Sequence, residues 1–169
     1  MQILGFVIAL MVLVSSSAHA EPVKAAVFDF ELYDTSLQGE MMGPQADEQR
    51  RLQEVTDQLR KALTDTGKFA VLDIAPVNAA AHASNLQACG GCDVQYAHQL
   101  GADLAITGVV QKVSALILNM NIYLRDANTG QLIKAMSADF RSNTDESWSR
   151  TMSYLLRNRL LAPNYGAPQ

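Results

Sequence analysis

The chain is short of the features that usually announce a function. Its 169 residues contain no run of lysine and arginine longer than two, and 17 acidic side chains outnumber 13 basic ones, giving a net charge of −4 and a pI near 5.3. Nucleic-acid binding leans on clustered cations, so that class is excluded. There is no G-x-S-x-G elbow and no phosphate-cradling glycine loop. Cysteine occurs twice, histidine three times and tryptophan once. No apolar run approaches the ~20 residues a membrane-spanning helix needs.

The longest apolar run, Ile3 to Val14, has instead the length of a secretory-signal core. Three serines follow it, then Ala18-His19-Ala20 before Glu21-Pro22. Small side chains at those positions suit signal peptidase, so residues 1–20 read as a cleaved signal, although no Lys or Arg precedes the core. Cleavage after Ala20 removes His19 and places the rest, as a soluble chain with no membrane span, in the periplasm. No cysteine follows the cleavage point to carry a lipid. The remaining 149 residues are the size of one domain. We expect that domain over 21–161 and a flexible tail over 162–169.

Val23 to Phe30 reads as a buried strand. Residues 31–47 show no sustained period and read as a long loop. Ala46 to Thr66 places Leu52, Val55, Leu59, Ala62 and Leu63 on one helical face, with Glu48, Glu54 and Asp57 among the polar decoration. Glu54–Gln58 and Asp57–Lys61 have the spacing of surface pairs. Phe69 to Ile74 reads as a strand, Pro76 to Ser84 and Asp93 to Leu100 as helices, and Asp103 to Val113 as a strand. Leu116 to Asp126 alternates strictly, with Asn119, Asn121, Tyr123 and Arg125 on the polar side. Leu132 to Arg141 is its hairpin partner across Asn128-Thr129-Gly130. Asn143 three residues before Glu146 resembles a capping box opening the last helix. The expected fold is therefore α/β (α+β), a mixed sheet in the order β-α-β-α-α-β-β-β-α, with early parallel strands, an antiparallel meander and a closing helix.

These segments resemble a known group. VKAAVFDFEL, LRKALTDTGKFAVLD, AHQLGADLAITGVVQKV and IYLRDANTGQLIKA are similar to the amino-terminal domain of TolB and the related curli-secretion (CsgG-like) and lipoprotein-activator domains of bacterial envelopes. LGAD-LAITG ahead of a hairpin closed by D-A-N-T-G is the most specific part. The chain also resembles a small family of exported bacterial proteins with a C-x-x-C before the LGAD helix. That resemblance implies a setting among genes of quinoprotein (PQQ-dependent) alcohol oxidation, and an interaction or assembly module that is not an enzyme, carries no cofactor and has another periplasmic or envelope protein as partner.

Cys89-Gly90-Gly91-Cys92 is the one motif with chemistry of its own. In an oxidising compartment the plain reading is a local structural disulfide. A redox-active pair is the second, since a helix start depresses thiol pKa values. The third is a metal or small-ligand carrier, with His82 and His98 joining the two cysteines as ligands. Asp29 and Glu31, two apart near a strand's carboxyl end, are weak acid/base candidates with surface carboxylates as the alternative. Met41 and Met42 in the 31–47 loop, and Tyr123 and Arg125 on the polar strand face, are the candidate partner contacts.

Overall fold

The computed structural model describes residues 21–162; the signal reading and the tail beyond 162 lie outside those residues. The strands are β1 (Val23–Val27), β2 (Glu31–Asp34), β3 (Phe69–Val71), β4 (Leu104–Ser114), β5 (Ile117–Asp126) and β6 (Leu132–Phe140). The helices are α1 (Leu37–Met42), α2 (Ala46–Asp65), α3 (Ala75–Ala83), α4 (Cys92–Gln99) and α5 (Asp145–Leu155), the last running on into a π-helical turn over Leu156–Leu160. The strands form one mixed sheet in the order β3-β1-β4-β5-β6, with β2 also on β4. The β1–β3, β1–β4 and β2–β4 pairs are parallel, and β4–β5–β6 is an antiparallel meander, as the sequence order implies.

Two apolar layers sandwich this sheet unequally. One face packs on α2 and α5, with Val27, Ile106, Met120 and Ile122 meeting Val55, Leu59, Trp148 and Met152. Alternation decides membership: Leu118, Met120, Ile122 and Leu124 all point there from β5. The opposite face packs on α3 and α4 through Ala26, Phe28, Val77, Ala81, Ala97 and Ala105. Among the described residues that second cover spans β1, the start of β4 and their surroundings, and leaves the polar side of β5 open.

The apolar face holds one charged cluster. Lys112 is in phase with Ile106 and Val110 on β4, so its side chain points inward and is fully buried. Its Nζ donates to Glu48 Oε1 at 2.6 Å, Asp34 Oδ2 at 3.1 Å and Gln38 Oε1 at 3.1 Å. Burial alone would lower the Lys112 pKa, but the two carboxylates outweigh it and raise it. Burial likewise works to raise Asp34, and hydrogen bonds from Ser36 and Lys112 hold it below its ordinary value. Glu48 also accepts from Asn143 Nδ2 at 2.6 Å, while Asn143 Oδ1 accepts from Trp148 Nε1 at 2.9 Å. The cluster therefore ties α1, α2, β4 and the start of α5 together.

Several expectations need correction. Residues 31–47 are not a loop: they contain β2 and α1, so the element order gains a strand and a helix. Glu48 is not surface decoration but the buried partner of Lys112. The N-cap of α5 is Thr144, whose hydroxyl accepts from Ser147 N, because Asn143 is already committed to Glu48 and Trp148. On α2 Glu54 pairs with Arg50, Asp57 with Arg60 and Lys61 with Asp65, while Gln58 reaches across to Ser153.

Candidate functional site

β4 is long enough to carry two strands end to end on one edge. Ala25–Val27 pair with Leu104–Ile106, then Glu31–Asp34 pair with Val109–Lys112. Four steps on one side match three on the other, so one extra residue sits between β1 and β2 and reverses which side chains face which layer. Ala25 and Val27 face α2 and α5 before the break; Phe30 and Leu32 do so after it. Phe30 N leaves the ladder for the buried Thr56 hydroxyl of α2, at 3.0 Å. Its ring lies directly over Gly108, where a Cβ would stand 2.2 Å from the ring carbon Cζ. That glycine of the LAITG segment makes room for the break.

Asp29 stands at the break with both oxygens engaged. Arg60 Nη2 donates to Oδ1 at 2.7 Å, and His82 Nε2 lies 2.8 Å from Oδ2. Arg60 also donates to Val27 O, satisfying a carbonyl where the strand ends. Glu31 accepts from Leu86 N at 3.0 Å. Burial pushes its carboxyl pKa up, against the lowering effect of the Leu86 and Gln87 amides. Asp29 and Glu31 thus meet at His82 and line one cleft of about 650 Å³ between α2 and α3. Gln49, Arg50, Gln53 and Asn78 complete its polar lining, and no Ser, Thr, Cys or Lys is among its walls. Asn78 Oδ1 is buried without a hydrogen-bond partner. The arrangement can hold a polar group, and its described lining places no hydroxyl or thiol beside His82.

Cys89 and Cys92 are joined as a disulfide. Gly90 and Gly91 both take positive φ, at 72° and 105°, which lets a four-residue ring close at the start of α4. Cys92 packs against the second apolar layer, while Cys89 is exposed. His82 turns to Asp29 and His98 sits in the last turn of α4, so the histidines and cysteines do not converge. Among the described residues no group of three or more His, Cys, Asp or Glu is placed to hold a metal.

The partner candidates separate into two places. Met41 and Met42 lie on α1, a helix with no buried residue, and are 76% and 67% exposed. Leu37 is exposed beside them, and Val113, Leu116 and Ile117 at the β4–β5 turn are exposed too. Thr35 N donates to Lys112 O and Gln38 accepts from Lys112 Nζ, so α1 is anchored at the end of β4 where that turn begins. Tyr123 and Arg125 lie on the open sheet face. Arg125 is committed to the buried Asp93 of α4, Nε to Oδ2 3.3 Å, so it braces α4 on β5. Among the residues sequence reasoning missed, Lys112 left a signal, because its place in the β4 alternation required a buried charge. Arg60, Thr56 and Tyr33 left none.

Similar folds occur among solved structures. The C-terminal domain of LpoB from Salmonella enterica superposes with a TM-score of 0.52 at 15% identity, over 77% of this chain and 90% of that one. The Escherichia coli LpoB C-terminal domain gives 0.48 at 17% identity, over 75% and 87%. Lipoprotein GNA1162 from Neisseria meningitidis gives 0.47 at 16%, over 80% and 91%. The Salmonella likeness is one of fold, a helix-covered mixed sheet of the same kind. No curated protein matches the chain. Residues 23–160 match the sequence profile of DUF3280, described as "Protein of unknown function (DUF2380)", and the chain belongs to that family.

Proposed function

We propose that this chain is an exported, non-catalytic module of the bacterial envelope that binds another envelope protein through the end of the sheet where α1 meets the β4–β5 turn. One observation carries the reading: Leu37, Met41 and Met42 on α1, with Val113, Leu116 and Ile117, expose apolar side chains at a single end of the molecule. Large apolar side chains left exposed near one another mark interaction sites, and methionines adapt to varied partners. The signal-like residues 1–20 support export to the periplasm. No helix among the described residues is long and apolar enough to cross a membrane. The fold shared with the Salmonella LpoB domain is compatible with this reading and does not choose the partner. The partner's membership of a quinoprotein alcohol-oxidation system rests on the sequence resemblance alone.

The test is photo-crosslinking in intact cells, with the probe at Met41 or at Lys61, which is exposed on α2. The reading expects one discrete protein adduct from position 41, absent from position 61 and lost with Leu37→Ser/Met42→Ser. Equal adducts from both positions, or none from 41 in cells growing on alcohols, contradict it.

A thiol–disulfide role is the second reading, favoured by the exposure of Cys89 at a disulfide that opens α4. A structural bond has a midpoint potential below about −300 mV, a labile one well above it. A labile value supports that role and a structural value removes it.

A further inference from the structure

We infer that the uncovered half of the sheet is a platform for a neutral, hydroxyl-rich glycan. Strand register places its side chains in rows. Tyr33, Gln111, Asn119 and Asp139 are successive partners across β2, β4, β5 and β6; Glu31, Val109, Asn121 and Ser137 form the next row. Tyr123 follows Asn121 two residues along β5. With strands about 4.8 Å apart, a row spans about 14 Å. The segment joining α3 to α4 stands along one side, enclosing about 750 Å³.

The charged groups on this face each have a partner within the protein, though only Arg125 is met by an opposite charge. Arg125 pairs with Asp93, Asp139 accepts from Asn119 Nδ2 at 2.7 Å, and Glu31 accepts from Leu86 N. Asn119 Nδ2 also donates to Ser137 Oγ, and Asn121 Nδ2 donates to Asn119 Oδ1. The amides are thereby held in fixed orientations. The uncharged groups on offer are the Tyr33 and Tyr123 rings and hydroxyls, the Gln111 amide and Asn121 Oδ1, with the exposed Asp139 carboxylate beside them as a further acceptor for hydroxyls. Flat aromatic faces suit the C–H faces of sugar rings, and oriented amides and phenols suit hydroxyls. An anionic ligand would face the Asp139 and Glu31 carboxylates, with Arg125 turned to Asp93. β4 and β5 are paired on both sides, so a strand-adding peptide would have to sit at the outer edge of β2 or β6 and not across the rows. This surface is separate from the α1 end, so the inference stands or falls independently of the proposed docking reading.

The test titrates the full exported chain with cellohexaose and with chitohexaose, read by calorimetry and by amide shifts. Saturable binding of at least one is expected, with shifts on β4 and β5. Tyr123→Ala and Asn121→Ala should each weaken it about tenfold, with unchanged circular dichroism, while Leu37→Ser/Met42→Ser leaves it intact. Absence of binding to both oligosaccharides by the folded chain overturns the inference. So does binding indifferent to both β5 substitutions, or a protein adduct from a probe at Tyr123 that neither sugar displaces.

Discussion

The two faces of the sheet are built from the same strands and end differently. One is closed by α2 and α5 over an apolar layer into which the charged Lys112 cluster and the Thr56 hydroxyl are set. The other is closed over β1 and the start of β4 and, among the described residues, then left open, with polar side chains in register. A single extra residue between β1 and β2 contributes to the contrast. It turns Phe30 and Leu32 to the closed face and thereby places Glu31 and Tyr33 on the open one. The apolar core contacts are thus concentrated on one side of these strands, and the proposed glycan platform lies on the other.

The largest expected effect follows from unbalancing the closed face. Lys112→Met strands Glu48 and Asp34 without their cation and should cost about 3–5 kcal/mol, measured by urea denaturation at pH 7. Lys112→Met/Glu48→Leu should recover most of it, since an apolar pair of similar volume is often as stable. The pH dependence has a definite sign. Asp34, depressed when folded, adds stability above its ordinary pKa of about 3.9 and loses it as pH falls through the lower folded value. Lys112, raised when folded, contributes fully below about 10.4 and loses it as pH rises through the higher folded value. The gap between the wild type and Lys112→Met should therefore narrow below about pH 4.

Next comes the break itself. Gly108→Ala drives a Cβ into the Phe30 ring and should cost about 1–3 kcal/mol. Phe30→Leu should relieve part of the Gly108→Ala penalty, seen as non-additivity in a double-mutant cycle. Opening the disulfide by Cys89→Ser/Cys92→Ser should cost about 2 kcal/mol in the loop-entropy account, with hydrogen exchange rising locally in 85–93. The smallest effect is expected on the open face, where Asn121→Ala/Tyr123→Ala should stay within about 0.5 kcal/mol of wild type.

These differences also explain which parts were legible in the sequence. The period of Leu52, Val55, Leu59 and Leu63, and the alternation through β5, report burial directly, and the fold class follows from them. β2 is only four residues of mixed polarity, and α1 buries nothing and contains Gly39, so neither leaves a periodic trace. The break depends on Thr56, 26 residues away, accepting the Phe30 amide. Of the candidate site, Asp29, Glu31, His82 and the methionines were named from sequence. The grouping of Asp29, Glu31 and His82 required the helices, because Arg60 and the α3–α4 segment reach the two carboxylates only through tertiary packing.

The division between faces is tested most directly by one set of urea denaturation curves at pH 7 for the wild type, Lys112→Met and Asn121→Ala/Tyr123→Ala. The account predicts a midpoint far below wild type for the first variant and one indistinguishable from wild type for the second. A loss of equal size in both would contradict it, because the polar rows would then be part of what holds the fold together.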